Sequence, residues 1–522
     1  MGNAAIIRRK LLIACFLLTA VVRSFADSGV LFSKDGFTYS RQKYTSCDNC
    51  LSVTSYQADS LTDYSQPLHV PSKVIHEGKT YCVKEIGQNA FAGVTVIQSV
   101  VIEEGIEGIS NRAFECCVNL KSVYIPASVD GLGRELFGSC YSLTSVVVDS
   151  NNETYDSRDN SNAIIDTEED ELVVACSSTT IPSSVKSIGE SAFYHCNTME
   201  HLVIPEGVEK IDNVAFYGCS SLKSVSLPES LKEIGGNVFD GCCSLTSIFI
   251  PKNVAKIYGG NLFAGCYALT SIQVDSANPY YDSRSGCNGI VRKSDSALLA
   301  ACGATTISDD IRVLESCCFY GTIVHSVYIP KSVENVSGSA FTGCWEIDEI
   351  TVAPDHPNVV SPKGSNAILT KDGKTLLLGC RTTVIPDGVE TIGEYAFWGR
   401  YIKLVLSLPE TIKRIEDSAF SNCNGINGVI IPKSVESIGF DAFSDCRNLR
   451  EVQILSPIKK IPYKMFFGCY NLSVISLPEG VEEIDEWAFD GCKSLKHISL
   501  PKSVTKIVKS YSYDICPAFE KK

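Results

Sequence analysis

The feature that most constrains this chain is a phenylalanine that returns at a fixed interval. The anchors fall at Phe91, Phe114, Phe137, Phe193, Phe216, Phe239, Phe263, Phe319, Phe341, Phe397, Phe420, Phe443, Phe466 and Phe489. Most steps are 23 residues, with one of 24 to Phe263 and one of 22 to Phe341. Three steps, to Phe193, Phe319 and Phe397, are 56 residues, which is one 23-residue unit plus a 33-residue insert. A unit this short cannot bury its apolar residues alone, but stacked units share a core. The spacing therefore predicts a repeat solenoid rather than several globular domains. An apolar content of 44% is enough to fill a long core.

Within a unit, the segment Leu-x-x-Ile-x-Ile-Pro alternates at period two and reads as a strand. Leu120, Val123 and Ile125 are its inward residues in one copy, and Pro126 ends it. The segment Ile-Gly-x-x-Ala-Phe is too short for an α-helix and predicts a short irregular or 3-10 turn on the opposite side. The inserts share a pattern. Tyr155-Asp156-Ser157-Arg158 followed by Asn162-Ala163-Ile164 returns as Tyr281-Asp282-Ser283-Arg284 followed by Asn288-Gly289-Ile290. The third insert keeps Asn366-Ala367-Ile368 and adds Asp372-Gly373, so each insert reads as a hairpin that returns to the main stack.

The combined pattern Ile-x-x-Ile-Gly-x-x-Ala-Phe-x-x-Cys-x-x-Leu-x-x-Ile-x-Ile-Pro resembles the leucine-rich repeats of the BspA-like surface proteins. The match covers about residues 84–508. The resemblance implies parallel-β leucine-rich repeats on a secreted or surface-displayed protein that adheres to host matrix proteins or to other cells.

The two ends carry other signals. Arg8, Arg9 and Lys10 precede the apolar run from Leu11 to Val22, and Ser24-Phe25-Ala26 forms a small-x-small cleavage signal, so residues 1–26 read as a signal peptide for secretion. Its removal takes the formal net charge from −14 to −18. So acidic a surface repels phosphate backbones and anionic bilayer surfaces, which argues against nucleic-acid partners, and no later run of about 18 apolar residues predicts membrane insertion after cleavage. Residues 27–83 lack the repeat and predict a β-rich N-terminal cap: Asp35-Gly36 marks a hairpin, and 51–56, 68–71 and 80–83 read as short strands. Residues 509–522 form a C-terminal tail with no recognisable anchor.

Candidate chemistry is sparse. Of 24 cysteines, eleven stand three residues after an anchor phenylalanine: Cys117, Cys140, Cys196, Cys219, Cys242, Cys266, Cys344, Cys423, Cys446, Cys469 and Cys492. One ligand per turn does not make a metal site, which needs converging ligands, so this is a column of small buried side chains. Cys47 and Cys50 have C-x-x-C spacing without a surrounding βαβ pattern, and predict a structural disulfide with Cys82 as a candidate partner. Asp156, Asp159 and Asp282 could suggest calcium, but fit a hydrogen-bonded turn better. The seven histidines are scattered, and no metalloprotease, nucleophile-elbow or phosphate-loop motif is present. No catalytic residue, metal or cofactor is predicted. A hydrolytic enzyme would need converging carboxylates that cannot be placed.

The outward residues of the strands remain. Tyr124, Phe249, Tyr328, Gln273 and Gln453 are the candidate ligand-binding residues, since exposed aromatics and amides among small polar residues suit contact with extracellular proteins or glycans. The expectation is adhesion or recognition through an extended sheet face. Self-association as a structural surface scaffold is the alternative.

Overall fold

The structure, a computed structural model, describes residues 30–41, 49–59, 62–402, 404–508 and 517. The expected signal peptide 1–26, Cys47 and, apart from residue 517, the expected tail 509–522 lie outside the described residues. The chain divides into two compact units. One comprises residues up to 262 with 275–279, the other 263–274 with 280 onward. Each is a parallel-β solenoid with almost no helix.

The Leu-x-x-Ile-x-Ile segments form a broad ladder. In the first unit, Leu68–Val70, Ser99–Ile102, Ser122–Ile125 and Ser145–Val148 pair in parallel and in register. In the second, Ile426–Ile431, Glu451–Ile454 and Val474–Ser476 do the same, and Leu404–Ser407 pairs in parallel with Ile426–Ile431 across a register shift between Leu404 and Val405. Leu120, Val123 and Ile125 are buried, as alternation requires.

A second, narrow ladder of two-residue strands runs along each unit. Ser187–Ile188, Lys210–Ile211, Glu233–Ile234 and Lys256–Ile257 form it in the first unit. Thr391–Ile392, Arg414–Ile415 and Ser437–Ile438 form part of it in the second. Its isoleucines point into the core, and two residues are too few to show a period in sequence.

The chain then turns at the anchor. The N–H of Phe114 donates to the carbonyl of Leu136 (3.0 Å), Phe216 to Val238 (3.0 Å) and Phe420 to Ala442 (2.9 Å), so successive turns are tied by backbone bonds even outside the strands. The rings stack: Phe91, Phe114 and Phe137 have centroids 4.8 and 5.6 Å apart, and Phe397, Phe420 and Phe443 5.0 and 5.2 Å apart. These turns are irregular. A 3-10 helix forms at one of them among the described residues, Gly338–Phe341. At most of the others the residue two before the phenylalanine is left-handed, as at Asn89 (φ 57°), Val214 (φ 50°) and Trp487 (φ 59°), and a left-handed residue stops helix growth.

The cysteine column has a definite bonding role. Cys117 donates its thiol to the carbonyl of Phe91 (3.1 Å), Cys219 to Phe193 (3.1 Å), Cys446 to Phe420 (3.1 Å) and Cys469 to Phe443 (3.2 Å). Each bond reaches the neighbouring turn. At Phe397 the corresponding position holds Arg400, fully buried, which donates to the carbonyls of Gly379 (3.1 Å), Cys344 (2.5 Å) and Phe341 (2.9 Å).

The N-terminal region forms the expected hairpin, Val30–Lys34 with Phe37–Arg41, across Asp35 (φ 50°) and Gly36 (φ 82°). Lys73–His76 adds a strand that the sequence reading did not include. Cys50 is disulfide-bonded. Cys82, opposite it on the paired strand, is a free thiol, so the expected pairing with Cys82 does not form.

The inserts are three-stranded antiparallel meanders rather than simple hairpins. In the first, Tyr155–Asp156 pairs with Ala163–Asp166, which pairs with Glu171–Ala175, and this last strand joins the narrow ladder in parallel. Asp156 accepts from Arg158 Nε (2.9 Å), and Asp282 accepts from Arg284 Nε (2.8 Å), so these two carboxylates close turns. One buried side chain stands just before each meander. Asn152 Nδ2 donates to the carbonyls of Pro126 (2.9 Å) and Val129 (2.8 Å) while its Oδ1 accepts two backbone N–H groups. Asn278 makes the same donations to Pro251 and Val254. His356 takes this place in the third insert, its Nδ1 accepting from the N–H groups of Asn358 (3.1 Å) and Val359 (3.3 Å).

Candidate functional site

Alternation along the broad ladder leaves one column of side chains outside each sheet, and registry places them at equivalent heights on successive turns. In the first unit Val101 lies opposite Tyr124, and Tyr124 opposite Val147. Tyr124 is half-buried, and its hydroxyl donates to Asp149. That bond raises the phenol's pKa and lowers the carboxyl's, so the Tyr124 hydroxyl is already committed within the protein. Phe249, also in the first unit, is 47% exposed on the strand Ser247–Ile250.

In the second unit Tyr328 is 51% exposed beside its register partner Thr351. Gln273 is exposed on Ser271–Val274, and Gln453 is exposed between Ile430 and Ser476. Within neither unit do two of the five candidates occupy paired strands. Each occupies an outward position of its own strand on a repeated face.

The polar residues beside them bond along the stack. Ser99 and Ser122 hydroxyls are 2.7 Å apart, and His201 Nδ1 lies 2.8 Å from Ser224 Oγ. At the rim, Lys223 meets Glu200 (2.6 Å) and Lys232 meets Glu209 (2.7 Å), each pair one turn apart and open to water. Such pairs fix rim geometry while adding little stability.

Two clusters on the turn side escaped the sequence reading. Lys464 Nζ lies 5.2, 5.3 and 4.7 Å from the ring centroids of Tyr463, Phe467 and Trp487. In the first unit Tyr194 and Tyr217 stack at 5.4 Å with His195 edge-on to both, and burial pushes the Asp240 carboxyl up to about 6. Burial is the cause at Asp240, and Glu135 acts electrostatically on Tyr194, His195 and Tyr217. These groups come together because residues 23 apart stack. Aromatic residues at matching positions of consecutive repeats were the available signal.

The sequence matches a family model described as "BspA type Leucine rich repeat region" over residues 79–167, 173–285, 301–362, 379–424 and 390–520. No curated protein matches it. Among solved structures, a leucine-rich cell surface protein from Faecalibacterium prausnitzii is 23% identical, with 94% of this chain and 99% of that chain covered and a TM-score of 0.31. A leucine-rich repeat protein from Bacteroides ovatus is 21% identical, covering 94% and 93%, with a TM-score of 0.29. The pneumococcal vaccine antigen PcpA is 15% identical, covering 92% and 94%, with a TM-score of 0.24. Among the described residues, no helix is long and apolar enough to cross a membrane.

Proposed function

The chain belongs to the BspA-type leucine-rich repeat family, and from that premise we propose that it is a secreted or cell-surface protein mediating adhesion or recognition without a catalytic step. Binding is spread over the outward column of the broad ladder, and its partners are extracellular proteins or glycans. The observation that carries this reading is the exposure of large apolar and aromatic side chains at strand positions where the fold does not use them, Phe249 and Tyr328 above all. A side chain left half out of the core is available to a partner, and aromatic anchors dominate contact energies where they are buried on binding. Tyr124 contributes less, since Asp149 holds its hydroxyl.

The test is surface binding of the full-length protein to a panel of matrix proteins, mucins and glycans, beside Phe249→Ala and Tyr328→Ala. Saturable binding is expected, with each substitution costing about 1–2 kcal/mol. Absence of binding to the whole panel, with concentration-dependent assembly of the protein alone, would replace adhesion with a self-associating scaffold.

A further inference from the structure

The residues that follow the anchor phenylalanines form a column along the turn face. In the first unit the column reads Glu115, Gly138, Tyr194, Tyr217 and Asp240. Backbone bonds hold its turns side by side: the N–H of Cys116 donates to the Gly138 carbonyl (2.8 Å), that of His195 to Tyr217 (2.8 Å) and that of Gly218 to Asp240 (2.7 Å). Gly138 makes room for Tyr194, whose Cδ1 lies 2.9 Å from where a Cβ on that glycine would stand. The Tyr194 and Tyr217 rings stack at 5.4 Å and 11°, and both are half-buried, so part of each ring meets water. Two rings thus form a short row with a carboxylate beyond each end.

Neither carboxylate has a bonded partner among the described residues. Glu115 is 8% exposed, and burial raises its pKa without a hydrogen bond to hold its charge. Arg112 acts on it from nearby, but the Arg112 Nε is taken by Glu135 (2.6 Å). The charge of Glu115 acts on the Tyr194 phenol, which sets this carboxylate toward the row. At Asp240 burial is the one influence, with no donor or cation beside it. Arg112 with Glu135 and Arg134 with Glu190 are neutral pairs, and burial lowers the pKa of His195, so the row keeps a surplus of negative charge. Other turns place Ala92, Thr342, Ser421 and Ser444 in this column, so the fold does not need an acid there. An unpaired carboxylate costs stability when it is buried, and a cation brought by a ligand removes that cost.

Stacked phenol faces between unpaired carboxylates match one cation best. A guanidinium lies flat on a tyrosine ring and pairs with a carboxylate through two N–H groups, whereas an ammonium has no flat face. The row crosses successive turns about 4.8 Å apart, a length that several residues of an extended chain would follow. We propose that the row of Glu115, Tyr194, Tyr217 and Asp240 binds an arginine-bearing peptide segment of a partner protein. This row lies on the turn face and does not depend on the broad-ladder reading above.

The test is isothermal titration calorimetry of the full-length protein with blocked tetra-arginine and tetra-lysine peptides. Wild type is compared with Glu115→Gln/Asp240→Asn and with Glu349→Gln/Glu451→Gln, which removes the same charge from exposed strand positions. The arginine peptide is expected to bind saturably and the lysine peptide several-fold more weakly. The first double variant is expected to weaken arginine binding about tenfold or more, the second by less than about twofold. Phe249→Ala is expected to bind as wild type, and the first double variant to keep or raise the melting temperature. The proposal is overturned by no binding of the arginine peptide, or by a lysine peptide that binds equally. Equal weakening in both double variants would also overturn it, since the attraction would then be that of an acidic surface at large. A lowered melting temperature in the first double variant would make the two carboxylates structural and sink it too.

Discussion

A thiol is a weak donor, yet one column of thiols ties successive turns together in both units because each has one carbonyl within reach and no water to compete. Burial pushes the Cys219 and Cys423 thiols up to about 12, which keeps them protonated as donors and unreactive as nucleophiles. Cys446→Ala is expected to cost about 1–2 kcal/mol, from the lost bond and the small void, measured by urea unfolding. In the native protein, iodoacetamide is expected to spare Cys446 and label half-exposed Cys82, as read by peptide mass spectrometry. Arg400 stretches the same role furthest. Burial lowers its pKa while three carbonyls hold its guanidinium in place of a carboxylate. Arg400→Ala removes the side-chain donor from those carbonyls and opens a large void, and is expected to lower stability by about 3–5 kcal/mol.

The inserts show how the position before each meander accepts different side chains. Asn152 and Asn278 are uncharged at every pH, whereas His356 serves only as a neutral imidazole, because its Nδ1 must accept two N–H groups. The residue is 1% exposed, and burial, with Lys371 adding a like charge, lowers its pKa below the ordinary 6.5. The unfolded chain therefore takes up the proton first as pH falls. The contribution of His356 is complete above about pH 6.5 and declines as pH drops toward the lowered folded value. Unfolding midpoints measured between about pH 7.5 and about pH 5 should fall more steeply for wild type than for His356→Asn. Equal slopes would mean that the imidazole is not the titrating group.

For the molecule as a whole, cohesion comes from repetition. Ring stacks, two strand ladders and a turn ladder supply the same contacts at turn after turn, and among the described cysteines all but Cys50 are free thiols. Reduction with dithiothreitol is therefore expected to leave the main thermal transition within a few degrees of its oxidised value. A large drop would show that covalent bridges carry the stability instead. A solenoid built this way tolerates change on its outer columns, since those side chains touch few others. That freedom lets Phe249 and Tyr328 stand exposed without altering the core.

The sequence by itself determined the stack. The phenylalanine interval, the alternation at Leu120, Val123 and Ile125, and the Asp35-Gly36 turn each reflect a local geometric rule, and repetition turns a local rule into a global fold. The tertiary structure alone decided the narrow ladder, the left-handed turns, the carbonyl partners of the cysteines and Arg400, and the depth of the candidate residues. Tyr124 and Tyr328 occupy the same repeat position, yet one is half-buried on Asp149 and the other half-exposed. The difference lies in what the neighbouring turn presents, and residues 23 or 56 apart in sequence meet only after the turns have stacked.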